Sequence, residues 1–254
     1  MLQGKNAIIT GARTGIGLAI LEKFASQGAN VWAIVHREDN EFLSKVQTLM
    51  EQYHVWIKVV YIDLNDEINI TSGIKQIIQE KQPIDILVNA AGTISPNRLI
   101  QMTAMADMRR VMQVNFFAAV QICQLVSRVM CRQQSGNIVN IASIAGLDGD
   151  FAQLEYAASK AALICATKKM AFEWGKYGIR VNAIAPGLIE TKMLEGMNEK
   201  VVSEMISRNA IHRKGLPSEI ADLCVYLSSE QSSYISAQTI RIDGGGTNFL
   251  SNIN

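Results

Sequence analysis

The chain alternates between two kinds of apolar pattern. Short runs with apolar, often β-branched residues at neighbouring positions occur at Asn6–Thr10 (NAIIT), Val31–Val35 (VWAIV) and Ile57–Ile62 (IKVVYI). Others follow at Ile84–Val88 (IDILV), Asn137–Ala142 (NIVNIA), Arg180–Ile184 (RVNAI) and Thr239–Ile242 (TIRI). Such runs predict strands buried on both faces. Between them apolar residues recur at spacings of three and four, which predicts amphipathic helices. Ile16, Ile20, Leu21 and Phe24 form one stripe, Phe42, Val46 and Leu49 a second, and Ile70, Ile74, Ile77 and Ile78 a third. Two longer helices, Asp107–Gln134 and Gln153–Lys176, are apolar on more than one face, as Phe116, Val120, Leu125 and Val129 show on the first. Helices of that kind need cover on a second side. Strand alternating with helix predicts right-handed crossovers: an α/β, doubly wound parallel sheet of about seven strands with helices on both faces.

Only four prolines occur and none interrupts these patterns; there is no linker, repeat or charge block, so residues 1–254 read as one domain. The stretch from Pro186 to Pro217 differs, being rich in Met, Glu and Lys without a strand pattern. Its part at about 188–214, with Met193, Met197, Met205 and Ile206 among Glu195, Glu199, Lys200 and Glu204, reads as one or two short helices forming a substrate lid.

Composition narrows the classes. The 254 residues are 48% hydrophobic and 19% charged, which excludes a disordered chain. With 24 basic and 23 acidic side chains the formal charge is +1, which argues against a nucleic-acid partner bound through phosphate neutralisation. Cys123, Cys131, Cys165 and Cys224 form no C-x-x-C pair, so no metal site is expected. The N-terminal MLQGKNAIITGARTG lacks a signal-peptide core, and no run approaches the ~18 apolar residues of a membrane span. The expectation is a cytoplasmic protein with no membrane partner. A mean hydropathy of +0.12 fits a homo-oligomer.

The first strand runs into Thr10-Gly11-Ala12-Arg13-Thr14-Gly15-Ile16-Gly17. A glycine-rich turn between a first strand and a first helix lets backbone approach a pyrophosphate, and the helix N-terminus offers it free N–H donors. The spacing is G-x-x-x-G-x-G in the context of a Rossmann-type domain. At the end of the second strand, where an acidic residue would bond the ribose 2′-hydroxyl of NAD, stand Val35-His36-Arg37. Arg37 suits a 2′-phosphate, so NADP(H) is favoured, with NAD(H) the alternative. Glu38 and Asp39 suit the cap of the next helix.

Ser143 follows the fifth strand, and Tyr156 and Lys160 lie four apart on one helix face. A lysine ammonium beside a tyrosine favours the phenolate and pulls the phenol pKa down from ~10. A serine hydroxyl alongside can hold a carbonyl oxygen while a hydride arrives.

These stations together resemble the short-chain dehydrogenase/reductase family, and within it the 3-oxoacyl-[acyl-carrier-protein] reductases. The resemblance rests on TGARTGIG from Thr10, Asp63, NAAG from Asn89 to Gly92, Asn115 in VNFF, Ser143, YAASK from Tyr156, Asn182 in RVNAIAPG and Thr191. It implies an NADP(H)-dependent reductase of a 3-oxoacyl thioester, a step of fatty acid biosynthesis, with a small-molecule or carrier-bound acyl substrate. Tyr156 would be the general acid, Lys160 would tune it and bond the nicotinamide ribose, Ser143 would polarise the carbonyl, and Asn115 would hold a relay water. Gly11, Arg13, Thr14, Gly15, Ile16 and Gly17 would surround the pyrophosphate and 2′-phosphate. Asp63 and Leu64 would meet the adenine. Asn89, Ala90 and Gly92 would line the cofactor cleft, and Pro186, Gly187, Ile189 and Thr191 would meet the nicotinamide. Family members commonly pair the two long helices into tetramers.

Two positions depart from the family pattern. Thr14 stands where many NADP-dependent relatives carry a basic residue, with Arg13 one place earlier. Phe172 stands where carrier-protein reductases often present an arginine, leaving Arg128 and Arg132 as docking charges. Two other readings stay open: a dehydrogenase of a sugar, steroid or small alcohol, and a nucleotide-binding module without catalysis.

Overall fold

A computed structural model of the protein describes residues 1–149, 153–191 and 199–246. Met193, Glu195 and Met197 of the anticipated lid lie outside the described residues. Seven strands form one parallel sheet: β1 (Asn6–Thr10), β2 (Asn30–Val35), β3 (Ile57–Tyr61), β4 (Ile86–Asn89), β5 (Gly136–Ile141), β6 (Ile179–Pro186) and β7 (Thr239–Ile242). Their order across the sheet is β3-β2-β1-β4-β5-β6-β7. The order reverses beside β1, so the crevice at that switch point opens over the carboxyl ends of β1 and β4, where such sheets bind ligands.

Period-two alternation sends neighbouring residues to two separate cores. Ala7, Ile9, Val31 and Ala33 face α1 (Gly15–Ser26), α2 (Asn40–Tyr53) and α9 (Pro217–Ser228). Ile8, Trp32, Ile34 and Leu87 face α3 (Glu67–Gln79), α5 (Ala118–Gln133) and α7 (Leu154–Trp174). Two of the predicted helical stripes supply these cores directly: Phe42, Val46 and Leu49 are buried on α2, and Ile70, Ile74 and Ile77 on α3. Asp39 caps α2 through the Phe42 amide at 3.1 Å, and Asp66 caps α3 through the Ile68 and Asn69 amides.

Three local readings are corrected. The fourth strand starts at Ile86 rather than Ile84, because the Gln133 side chain takes both the Ile84 amide (3.0 Å) and its carbonyl (2.9 Å). The helix anticipated over Asp107–Gln134 is α4 (Met105–Met112) continued into α5 through one π-helical turn, Gln113–Phe117. That run, Met105–Gln133, is long and apolar enough to cross a membrane, contrary to the sequence expectation. Its inner face is given to the core instead, with Ile122, Val126 and Met130 fully buried. The short helices α6 (Ala145–Asp148) and α8 (Glu199–Ser207) are the remaining α-helices among the described residues, and α8 buries none of its residues.

Candidate functional site

The glycine turn is tight for a steric reason. Gly11 has φ +69°, and a Cβ there would stand 2.7 Å from the Ala91 Cα. A Cβ on Gly17 would collide with the Gly11 carbonyl. The two glycines therefore let the ends of β1, β4 and α1 close together. The Thr10 hydroxyl ties the junction by accepting the Ala90 and Ala91 amides, each at 3.1 Å. Thr14 makes no side-chain cap, and the first turn of α1 has no acidic residue. Its leading N–H groups are left for an anionic ligand.

These groups form one end of a cleft of about 1140 Å³. Gly11, Arg13, Thr14, Gly15, Ile16 and Gly17 line it; so do Asp63 and Leu64 after β3, and Ala90 and Gly92 after β4. Pro186, Gly187, Ile189 and Thr191 close the far wall. A Cβ on Gly15 would meet the Thr191 Cγ2 at 3.4 Å, so the two walls touch across the turn.

Three predicted residues stand elsewhere. Asn89 is turned away from the cleft, its amide donating to the Asn140 Oδ1 (2.8 Å) and the Cys123 Sγ (3.2 Å). Asn140 donates in turn to the Thr167 hydroxyl at 2.8 Å, making a buried polar row from β4 through β5 to α7. Arg37 is exposed and outside the cleft lining. Asn115 sits behind the wall in the π-helical turn, accepting the Thr93 amide (2.8 Å) and donating to the Thr93 carbonyl and the Ser159 hydroxyl (3.0 Å each).

Several lining residues were not anticipated, among them Asn65, Thr93, Arg110 and His36. His36 faces the cleft, with its Nδ1 3.7 Å from the Asp63 Oδ1. Asp63 also accepts the Asn65 amide and side chain, which holds its carboxyl below the usual carboxylate range. Arg13 is paired with Asp39 at 2.7 Å.

The chemistry-bearing groups meet on the opposite wall. Ser143, two residues past β5, accepts the Ala145 amide at 3.2 Å and lines the cleft with Tyr156. Lys160 lies one helical turn below, its Nζ 5.7 Å from the Tyr156 ring centre and donating to the Ile141 carbonyl at 2.8 Å. Lys160 is 4% exposed, and burial lowers its pKa from 10.5 to about 8. Gly92 lies beside both groups: a Cβ there would be in ordinary contact with the Lys160 Nζ (3.5 Å) and the Asn115 Oδ1 (3.6 Å).

The expected direction of the tyrosine shift is corrected. Burial raises the Tyr156 pKa, and the neighbouring Ser143 hydroxyl opposes this only in part. A phenol withdrawn from water resists ionisation, and the lysine ammonium is directed at the Ile141 carbonyl.

A family model described as enoyl-(acyl carrier protein) reductase matches residues 11–247. The 3-oxoacyl-[acyl-carrier-protein] reductase of Thermotoga maritima is 38% identical over 244 residues, 96% of this chain and 98% of that one. The crystal structure of a 3-oxoacyl-[acyl-carrier protein] reductase from Brucella melitensis superposes with a TM-score of 0.86 at 31% identity, covering 96% and 92% of the two chains. A putative gluconate dehydrogenase from Agrobacterium tumefaciens superposes with a TM-score of 0.92 at 29% identity over 98% of each chain. The chain belongs to the short-chain dehydrogenase/reductase family. It is an oxidoreductase that works with a nicotinamide cofactor.

Proposed function

We propose that the protein uses NADPH to reduce a 3-oxoacyl thioester to its 3-hydroxy counterpart. The observation that carries this reading is the meeting of Ser143, Tyr156 and buried Lys160 on one cleft wall. Ser143 holds and polarises the carbonyl oxygen, and Tyr156 donates its proton there. A bound nicotinamide supplies the hydride. Lys160, cationic at neutral pH, offsets the negative charge left on the phenol. Asn115 ties α7 to the Thr93 loop through Ser159 and keeps this geometry.

The cradle of Gly11, Gly15 and Gly17 and the open end of α1 suit a pyrophosphate. NADP(H) over NAD(H) is supported by the absence of an acidic residue at the end of β2 and by Arg13 in the cleft. Arg128 and Arg132 are exposed on α5, as a docking face for an acidic carrier would require. The outer faces of the long helices expose Phe117 (52%), Leu154 (42%) and Phe172 (78%), which supports a homo-oligomer, in our reading a tetramer. A sugar-acid substrate is the second reading, favoured by the likeness to a putative gluconate dehydrogenase.

The deciding experiment follows NADPH oxidation with acetoacetyl-CoA, against NADH, gluconate-class substrates and no substrate. Tyr156→Phe is expected to lose turnover by about 10²–10⁴-fold, the usual weight of a general acid, with NADPH affinity within about twofold of wild type, because the hydroxyl acts on substrate. Retention of most activity by Tyr156→Phe would refute the mechanism. Faster turnover of a sugar acid would replace the substrate.

A further inference from the structure

We propose that Arg208 binds an oxyanion that the substrate carries away from its reacting carbonyl, and so helps set which substrates are reduced. This deepens the thioester reading above and rests on it: there the oxyanion is the phosphate of a phosphopantetheine arm.

The basic side chains lining the cleft, among the described residues, are Arg13, His36, Arg110, Lys160 and Arg208. The first four have a partner or an acidic neighbour. Arg13 pairs with Asp39 at 2.7 Å, and His36 stands 3.7 Å from Asp63. Arg110 donates to the Thr93 hydroxyl at 3.1 Å, with Asp107 3.6 Å away. Lys160 donates to the Ile141 carbonyl. Among the described residues, Arg208 alone of the five makes no side-chain hydrogen bond or ion pair.

Arg208 belongs to the substrate end of the cleft. It follows α8, and the residues after it are fixed to the chain beyond β7. Asn209 bridges to Gly246, the Ala210 amide donates to the Gly245 carbonyl at 3.3 Å, and the Ile211 amide donates to the Gly244 carbonyl at 2.8 Å. The Gly246 carbonyl also accepts Arg241, whose Nη1 donates to the Asp148 Oδ1 at 2.7 Å. Asp148 ends α6, the helix that starts two residues after Ser143. These contacts tie the backbone at Arg208 to the loop that carries Ser143. The carbonyl under reduction already has Ser143 and Tyr156 as its donors, so the arginine is left for a different oxyanion.

The carboxylates of this end do not claim it. Asp148 and Asp243 are both bonded to Arg241. Glu204, one turn before Arg208, lines the cleft as well, and an exposed pair at that spacing is weak. A guanidinium takes phosphate or carboxylate through two parallel N–H bonds. The 3-oxoacyl thioester group itself carries no charge, so in that reading the anion comes from the carrier arm. A sugar acid would bring a carboxylate instead.

The test compares acetoacetyl-phosphopantetheine with acetoacetyl-pantetheine, which differ only in the phosphate, using NADPH and wild type, Arg208→Gln and Arg208→Lys. The quantity read is the ratio of kcat/KM for the two thioesters, in which any general loss of folding or hydride transfer cancels. Wild type is expected to favour the phosphorylated thioester about tenfold, the low end for a charge-assisted bond at an exposed site. In Arg208→Gln the preference should fall to about twofold or less, through KM rather than kcat. Arg208→Lys should recover part of it, as a point charge without the fork. NADPH affinity, read by cofactor fluorescence, should stay within about twofold of wild type. A ratio unchanged in Arg208→Gln would overturn the inference and leave the thioester reading standing. So would a parallel loss of NADPH affinity, which would assign the arginine to the cofactor's phosphates. If wild type reduces neither thioester, the thioester reading itself falls. With a keto-gluconate as the substrate instead, the inference survives only if Arg208→Gln raises KM for that acid about tenfold.

Discussion

Lys160 should make the free enzyme less stable than it need be, by an amount that pH can reveal. An ordinary lysine titrates near 10.5, and this one is lowered to about 8 by burial. At about 1.4 kcal/mol per tenfold change in proton affinity, holding the ammonium in the fold costs about 3 kcal/mol. The sign is fixed by the order of the two values. Below pH 8 the lysine is charged in both folded and unfolded chains, and the cost is present in full. Between pH 8 and 10.5 the folded lysine releases its proton first. The unfolded state then binds more protons, so stability gains with rising pH. Lys160→Met removes the charge and keeps the length of the chain. It also strands the Ile141 carbonyl, which now accepts the ammonium at 2.8 Å, a loss of roughly 1–2 kcal/mol. The net expectation is a variant more stable than wild type by about 1–2 kcal/mol at pH 7. That advantage should shrink by about 2 kcal/mol at pH 9.5, even reversing sign. Urea unfolding of the cofactor-free proteins at equal protomer concentration measures it, and groups common to both proteins cancel in the difference. The lost hydrogen bond affects both pH values alike, so the narrowing is the diagnostic quantity. An advantage that is the same at pH 7 and pH 9.5 would refute the argument.

Two further expectations concern the moving and assembling parts. Helix α8 buries none of its residues yet supplies Val201, Glu204 and Met205 to the cleft wall, so its amides should exchange fast in the free protein and slow at least tenfold with NADPH and substrate bound. Equal protection in both states would make it a fixed part of the wall. Light scattering at micromolar concentration should give a mass near four times 27.9 kDa, and a single 27.9 kDa species would rule out assembly through α5 and α7.

What could be read from the sequence was what depends on near neighbours. The seven strands, the glycine turn and the Tyr156–Lys160 pair are local patterns, and each lies within a few residues of its expected place. Orientation was harder. Asn89 shares the face of Leu87, two residues earlier on β4, and that parity could have turned it from the cleft toward the α5 side. The π-helical turn carrying Asn115 left no mark, because an extra residue in a continuous apolar helix leaves the spacing pattern nearly intact. The direction of the Tyr156 shift followed from desolvation, which spacing does not encode. That His36 rather than Arg37 lines the cleft is not encoded in spacing either, since both follow Val35 in one exposed loop.

The buried polar row through Asn89, Asn140 and Thr167 works as a key cut for a single lock. Asn89 and Asn140 are register partners across β4 and β5, and Asn140 is fully enclosed. Apolar side chains at these places would tolerate a neighbouring strand sliding by one residue, since isoleucine packs against valine nearly as well as against leucine. An amide does not: slid one place along, it would lose its partner inside an apolar interior, where an unpaired polar group costs several kcal/mol. Because the row ends on Thr167, two turns beyond Lys160, the same key also indexes α7 against the sheet. The cost of burying these amides is thus returned as alignment. The helix that carries Tyr156 and Lys160 has one seat on the sheet, and it is the seat that faces Ser143.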